Sequence, residues 1–244
     1  MQHCVPQISG RADVDRIMRL AVLVGAISVI SCNGLAQGLL TLTASSSLPA
    51  ASTTVELLVP EGWMIEQRHD ADFNRDGRAD VLLLLRQPNG EGAVPPRMLL
   101  VALATAKQRG YLLSATNARL VPHESSGALE DPMADGEIKV RPGGFDLKLG
   151  MMSGAGSYMS GTMRYHFRLE GICFRLTGFD RAETHRATLE IRDLSVNYLN
   201  GAVVETTGNE QSQVTQVRRK HISTRTRRCL PELGSAWTFD PLRP

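Results

Sequence analysis

The chain has 244 residues, of which 42% are hydrophobic and 21% are charged, and its formal net charge is +2. So small a net charge argues against a dedicated nucleic-acid-binding protein, because such proteins carry a clear excess of basic residues. The Cys and His residues show no zinc-site spacing, which argues against a zinc-stabilised domain.

Residues 1–36 are predicted to be a signal peptide. Residues 20–30 form an apolar run, and residues 34–36 supply the small side chains that signal peptidase requires. The run is far shorter than the roughly 20 residues that span a bilayer, so it does not predict a permanent membrane helix. The polar residues 1–17 fit no signal architecture, which leaves the alternative that they are a spurious extension and that the protein starts at Met18.

Two processing routes compete at the end of this segment. We favour cleavage after Ala36, which predicts a periplasmic or extracellular protein. The alternative is lipid attachment at Cys32, because Val29-Ile30-Ser31-Cys32 resembles a bacterial lipobox. This second route predicts a protein anchored to the bacterial outer membrane, and the lipid is then its only contact with the membrane.

Residues 37–52 are rich in Ser, Ala, Leu and Thr without a periodic pattern, so they are predicted to be a linker. A β domain over residues 53–222 follows. Its first predicted strands are short runs separated by Gly and Pro turns, and they cover residues 54–59, 63–67, 81–86, 98–104 and 111–115.

An Asp-rich loop precedes the apolar strand 81–86 and predicts a calcium site. Oxygen ligands stand at alternate positions and Gly77 permits the sharp turn, so the predicted shell consists of the side chains of Asp72, Asn74, Asp76 and Asp80 with the carbonyl oxygen of Arg78. An EF-hand is excluded because its twelfth position requires Glu and holds Leu83 here. The alternative is an Asx-turn loop whose Asp and Asn side chains cap their own backbone without a metal.

Residues 72–81 resemble the calcium loop of FG-GAP/VCBS-type repeats, which lies between strands of secreted or cell-surface β proteins. The loop occurs once, so the resemblance implies a local calcium-binding device and not a propeller. The order of Gly62-Trp63, this loop, residues 164–168 and residues 197–201 also resembles a group of uncharacterised bacterial exported proteins. That group carries no assigned activity, so the resemblance implies location and fold only.

Several segments after the loop alternate apolar and polar residues, the clearest being residues 162–169. Further strands are predicted over residues 172–176, 187–198 and 202–206, the last two joined by an Asn200-Gly201 turn. No long amphipathic helix is evident. The predicted fold class is therefore mainly β, an antiparallel meander forming a sandwich or a curved, partly closed sheet.

Three basic side chains share one face of the strand 162–169, namely Arg164, His166 and Arg168. They could form an anionic-ligand face for a phosphate or carboxylate group. We favour the alternative that they are the solvated face of the sheet. The polar loop over residues 120–136 is a second candidate binding segment because loops of this length are often functional or disordered.

Removal of the signal peptide leaves Cys173 and Cys229 from a total of four cysteines. In an oxidising compartment this pair is a disulfide candidate that would tie the C-terminal segment to the domain, and the alternative is two unpaired thiols. Residues 223–244 are predicted to be a basic tail. Residues 218–221 and the neighbouring arginines are expected to be a solvated edge strand and a disordered tail, or a surface for an acidic partner.

No catalytic residues are predicted, because the Gly-x-Ser-x-Gly nucleophile elbow is absent and the histidines do not converge in the sequence. The expected function is an exported, non-catalytic β domain with a calcium-stabilised loop that binds or organises an unknown envelope component. The alternative is a secreted hydrolase acting on an envelope polysaccharide or peptide polymer, with acids drawn from Glu170, Asp180, Glu183 and Glu190. A third possibility is an assembly or inhibitor protein that uses the basic tail.

Overall fold

A computed structural model describes residues 48–88, 94–106, 109–123, 130–152, 158–212 and 214–243. The predicted signal peptide with Cys32, most of the predicted linker and residues 124–129 of the long polar loop lie outside the described residues. None of the helices in the described part of the chain has the length and apolar character that a membrane span requires.

The described residues form twelve strands and three short 3₁₀ turns. The first five strands are β1 Ala51–Ser52, β2 Met64–Ala71, β3 Asp80–Arg86, β4 Arg97–Thr105 and β5 Gly110–Asn117. The remaining strands are β6 Glu137–Arg141, β7 Gly144–Met152, β8 Met159–Glu170, β9 Cys173–His185, β10 Glu190–Asn197, β11 Ala202–Asn209 and β12 Val214–His221. The 3₁₀ turns are Glu56–Leu58, Leu230–Glu232 and Ala236–Thr238.

Two antiparallel sheets make up the fold. One has five strands in the order β1-β5-β4-β3-β2, and the other has seven in the order β12-β11-β10-β9-β8-β7-β6. Neighbouring strands are mostly consecutive in the chain, as short hairpin turns dictate. This confirms the predicted mainly β, antiparallel fold, and the two sheets do not close into a barrel.

The main core lies between the two sheets. Alternate residues of β3 and β4, such as Leu82, Leu84 and Leu99, contribute aliphatic side chains from the five-stranded sheet. The seven-stranded sheet contributes a group of fully buried aromatic rings, Phe145, Tyr165, Phe167, Phe174 and Phe179. Removing these large side chains from water is the principal driving force for pairing the two sheets.

A second, smaller core covers the opposite face of the five-stranded sheet. Val81, Leu83 and Leu85 of β3 point into it and pack with Val55 and Leu58 from the segment that precedes β2. Strand β3 is therefore buried on both faces, which explains its uninterrupted apolar sequence.

The C-terminal segment belongs to the folded unit. Leu230, Leu233 and Ala236 are at most 4% exposed and join the main core, and Trp237 and Phe239 pack against it. The prediction of a disordered tail over residues 223–244 is therefore wrong for residues 230–239, because the apolar residues of this part pack against the sheets.

The other end of the predicted domain also differs from expectation. Strand β1 lies within the predicted linker 37–52 and pairs with β5, so the sheet begins earlier than residue 53. Strand β12, by contrast, is exposed along its whole length and forms an edge of the seven-stranded sheet, as expected for the basic residues it carries.

Candidate ligand-binding site around the Asp-rich loop

The Asp-rich loop connects β2 and β3 and is anchored in the core by Phe73. Phe73 is only 2% exposed, and its ring centroid lies 5.5 Å from that of Phe174 and 6.3 Å from that of Phe145, both in the seven-stranded sheet. The backbone N–H of Gly143, in the turn between β6 and β7, donates to the carbonyl oxygen of Asp72. The loop therefore connects two strands of the five-stranded sheet and also contacts the seven-stranded sheet.

Within the loop the side-chain oxygens accept hydrogen bonds from nearby backbone groups. The Asp76 N–H donates to both Asp72 Oδ1 and Asn74 Oδ1 at 3.0 Å, and the Gly77 N–H donates to Asp72 Oδ2 at 2.9 Å. Asp76 Oδ1 accepts from the Arg78 N–H, and its Oδ2 accepts from the Arg78 guanidinium, both at 2.9 Å. This is the arrangement of the Asx-turn alternative.

Asp80, which the sequence assigned as the closing calcium ligand, is turned into the sheet. Its side chain is 0% exposed, its Oδ2 accepts from the N–H groups of Phe73 and Asn74, and its Oδ1 accepts from the N–H of Ala104 in β4. Burial raises the pKa of this carboxyl despite these hydrogen bonds. In the structure Asp80 thus acts as a cap that ties the loop to two strands.

The loop as it stands does not assemble the predicted calcium shell. Within the described ranges, no group of three or more His, Cys, Asp or Glu side chains is placed to hold a metal ion. A cation would have to displace the Arg78 guanidinium from Asp76, while Asp72 and Asn74 already direct oxygens to the same side of the loop. Calcium binding therefore stays a prediction that requires local rearrangement.

The predicted anionic-ligand face is largely occupied by internal contacts. His166 Nδ1 lies 2.8 Å from Asp146 Oδ1, and its Nε2 lies 2.7 Å from Asp180 Oδ2, so the imidazole bridges β7 and β9. The hydrogen bond with Asp180 is the main cause of a raised pKa for His166, and partial burial opposes it. Arg164 stands opposite Asp180 in the strand register, and its charge helps to lower the pKa of that carboxyl.

Arg168 takes no part in these contacts with Asp146 and Asp180. It is exposed near the end of β8 and lines a cavity of about 570 Å³ together with Arg75 of the Asp-rich loop. The structure therefore pairs Arg168 with a residue that the sequence analysis did not single out. No local pattern could have found Arg75, because the two arginines come from distant segments and meet only through the packing of the sheets.

Cys173 and Cys229 are joined by a disulfide, with their Cα atoms 5.5 Å apart. This confirms the predicted pair. Next to it, Arg175 forms an isolated bridge with Cys229, and the Leu176 N–H donates to the carbonyl oxygen of Arg228. The disulfide thus fixes the C-terminal segment alongside β9.

A buried charge cluster that the sequence did not predict joins β2, β4 and the long polar loop. The Arg97 guanidinium is 4% exposed and binds Glu66 and Asp131 through paired hydrogen bonds of 2.7–2.9 Å. Burial favours loss of the Arg97 proton, but the two carboxylates outweigh it and raise the pKa. The only feature of the sequence that drew attention to this region was the length of the polar loop that carries Asp131.

The acids considered for hydrolysis each contact a cation. These ion pairs are Glu170 with Arg175, Asp180 with His166, Glu183 with Arg181, and Glu190 with Arg192. Two of the basic residues near the C-terminus also have partners: Lys220 binds Glu205, and the Arg228 guanidinium stacks over the rings of Phe239 and Tyr198.

Comparison with known proteins gives no relative. The chain matches no protein-family model, no curated protein and no solved structure.

Proposed function

We propose that the chain is an exported, non-catalytic β domain that binds or organises an envelope component through the surface around its Asp-rich loop, which calcium stabilises. The observation that carries the proposal is the anchoring of this loop: Phe73 lies in the core while the adjacent Asn74 and Arg75 are exposed. A surface loop held by a buried anchor presents its polar groups in a fixed arrangement, which reduces the entropic cost of binding.

The role of the candidate acids supports a binding function over the hydrolase alternative. Asp180 pairs with His166 across strands β8 and β9, and Glu183 pairs with Arg181 within β9. These carboxylates are engaged in contacts of the sheet itself, whereas a glycosidase needs one acid with a raised pKa. Asp180 instead has a lowered pKa, for which the hydrogen bond from His166 is the largest cause.

The calcium part of the proposal concerns the stability of the loop. Asp72 Oδ1 accepts from the Asp76 N–H and Asp76 Oδ1 accepts from the Arg78 N–H, so the two carboxylates lie in the same short loop and their negative charges repel one another. A calcium ion bound there would relieve this repulsion and release Arg78 from Asp76. Because the loop contacts both sheets, such binding would stabilise the whole domain.

Thermal unfolding of the purified protein with calcium and with chelator tests the proposal. Calcium at a hundredfold excess over its dissociation constant should stabilise the folded protein by about 2.7 kcal/mol. We expect this shift to vanish in Asp76→Ala and to persist in Asp193→Ala, which removes an exposed acid from β10. Equal melting temperatures with calcium and chelator in the unmodified protein would remove calcium from the proposal.

A further inference from the structure

A cavity of about 570 Å³ lies where the Asp-rich loop meets the hairpin turns of the seven-stranded sheet. Three segments form its walls: the loop itself, the turn between β6 and β7, and the end of β8 with the turn that follows. Its lining includes Phe73, Asn74, Arg75, Gly143, Arg168 and Gly171.

The cavity contains two arginines whose charges are not neutralised. Among the residues that the structure describes, neither the Arg75 nor the Arg168 guanidinium has an ion-pair or side-chain hydrogen-bond partner, and both are exposed. The nearby acids have other partners: Asp72 accepts from the backbone N–H groups of Asp76 and Gly77, Asp76 pairs with Arg78, and Glu170 pairs with Arg175. The described residues that line the cavity include these two arginines and no acid, in a protein whose net charge is only +2.

The backbone of one glycine joins the two segments that carry these arginines. The Gly143 N–H donates to the carbonyl oxygen of Asp72 at 3.1 Å, and its carbonyl oxygen accepts from the Leu169 N–H at 2.9 Å. Gly143 has a φ of +87°, and a Cβ placed on it would lie 3.1 Å from Arg75 Nη2. Glycine is favoured at this position, because a side chain would strain the backbone and displace the Arg75 guanidinium slightly.

The backbone of Arg75 is itself in an unfavourable conformation. Its φ is +60°, in the left-handed region that a side chain with a Cβ seldom adopts. Two hydrogen bonds that span it, from the Asp76 N–H to the side-chain oxygens of Asp72 and Asn74, hold it there. Strained positions of this kind persist where the surrounding structure fixes them, and they concentrate at ligand sites.

We propose that this cavity binds an anionic group, a phosphate or a carboxylate, between Arg75 and Arg168. The inference rests on the proposed binding role and gives the chemistry of its ligand. A guanidinium presents a planar set of donors that matches either anion in a bidentate manner. An anion placed between two arginines also relieves the repulsion between their charges.

Isothermal titration with inorganic phosphate, glucose 6-phosphate, glucuronate and glucose tests this proposal. We expect saturable binding of at least one of the three anionic probes and none of glucose, with affinity that falls as salt is added. Arg168→Gln and Arg75→Asn should each weaken binding about tenfold, since each removes a charge-assisted contact. Asparagine is used at position 75 because it tolerates a positive φ better than glutamine.

The matched control is Arg192→Gln, which removes an exposed arginine of β10 that pairs with Glu190 outside the cavity. Its binding should equal that of the unmodified protein. Thermal unfolding of every variant shows whether it is folded, and Arg168→Lys, which retains the charge, should keep more affinity than Arg168→Gln.

The outcomes separate this inference from the calcium proposal. Titrations run with chelator and with calcium measure anion binding, whereas the shift in unfolding temperature measures calcium binding. Anion binding that depends on Arg168 without any calcium shift would support the cavity and remove calcium. Absence of binding by all three anionic probes, or binding that is equally strong in Arg168→Gln and Arg75→Asn, would overturn the inference whatever calcium does.

Discussion

The side-chain amide of Asn117 donates a 2.9 Å hydrogen bond to the carbonyl oxygen of Leu233, a residue 116 positions further along the chain. The same amide donates to the carbonyl oxygen of Leu230, and its Oδ1 accepts from the N–H groups of Arg119 and Leu120. Asn117 is 4% exposed, so these four contacts satisfy a buried polar group that would otherwise be costly. They also fix the C-terminal segment against the end of β5.

Asn117→Asp should destabilise the protein by about 3 kcal/mol. The substitution keeps the shape but replaces a buried donor by an acceptor that faces two carbonyl oxygens. Urea unfolding measures the loss. Asn209→Asp is the matched control because that half-buried side chain at the end of β11 also donates to a carbonyl and accepts from two backbone N–H groups, and it should cost less than about 1 kcal/mol. Similar losses in both variants would contradict the role of Asn117 as a buried clamp.

Replacement of Cys173 and Cys229 by alanine should lower the free energy of unfolding by roughly 4 kcal/mol. The disulfide spans a sequence separation of 56 residues, and its main effect is to restrict the unfolded chain. Denaturant unfolding of the double variant, without reductant, measures this loss. Adding reductant to the unmodified protein should reproduce the effect, and a midpoint that is insensitive to reductant would show that the pair is not formed in solution.

Arg97→Met should destabilise the protein by about 3–5 kcal/mol, because it leaves Glu66 and Asp131 as partly buried carboxylates without a counter-charge. The triple variant that adds Glu66→Gln and Asp131→Asn should recover part of this loss, since the uncompensated charges are gone. The control is Arg192→Met, which removes an exposed arginine whose Nη2 lies 3.9 Å from Glu190 Oε2. It should change the free energy of unfolding by less than about 1 kcal/mol. Equal costs for Arg97→Met and Arg192→Met in urea unfolding would contradict a buried clamp.

The contact of His166 with two carboxylates should make stability depend on pH. The pKa of His166 is raised, so its contribution is fully present below the unfolded value of 6.5 and is lost as pH rises through the folded value. The pKa values of Asp146 and Asp180 are lowered, so their contributions are lost as pH falls below 3.8. Burial opposes ionisation of Asp146, but hydrogen bonds from Arg141 and His166 outweigh it.

Unfolding free energies of the unmodified protein and His166→Gln, measured from pH 5 to pH 9, test this expectation. Their difference should be largest at the acidic end and should shrink towards pH 9. His185→Gln removes a histidine at the end of β9, where its Nδ1 contacts Thr188 and, within the described residues, no carboxylate pair is bridged, and serves as the control. A His166→Gln difference that grows with increasing pH would contradict the charged bridge.

The sequence predicted the strands that bury one or two regular faces. Alternation over residues 162–169 corresponds to the buried Met163, Tyr165 and Phe167 of β8, and the continuous run at 81–85 corresponds to β3, which is buried on both faces. The disulfide was also within reach, because the predicted signal peptide left one cysteine pair. These predictions succeed because period-two burial is a property of the local sequence and the number of cysteines is read directly from it.

Local sequence patterns did not predict the burial of the C-terminal segment or the hydrogen bonding of the Asp-rich loop. The basic residues near position 225 led to the prediction of a tail, although Leu230, Leu233 and Ala236 that follow are apolar. These three residues are buried in the main core, and the segment is held there by the hydrogen bond from Asn117 at the end of β5. In the Asp-rich loop the sequence supplied the oxygens but not their directions. Asp80 points into the sheet because the N–H groups of Phe73 and Ala104 are available there.

The amino-acid sequence by itself determined a mainly β, antiparallel fold and the continuous apolar strand β3, and it singled out Cys173 and Cys229 as a disulfide candidate. Tertiary structure alone decided that Arg97 lies between two carboxylates, that His166 bridges Asp146 and Asp180, and that Arg75 meets Arg168 at one cavity. The physical reason is the range of the interactions. Hydrophobic alternation acts on neighbouring residues of one strand, whereas charges that meet across sheets depend on register and packing, which no short stretch of sequence contains.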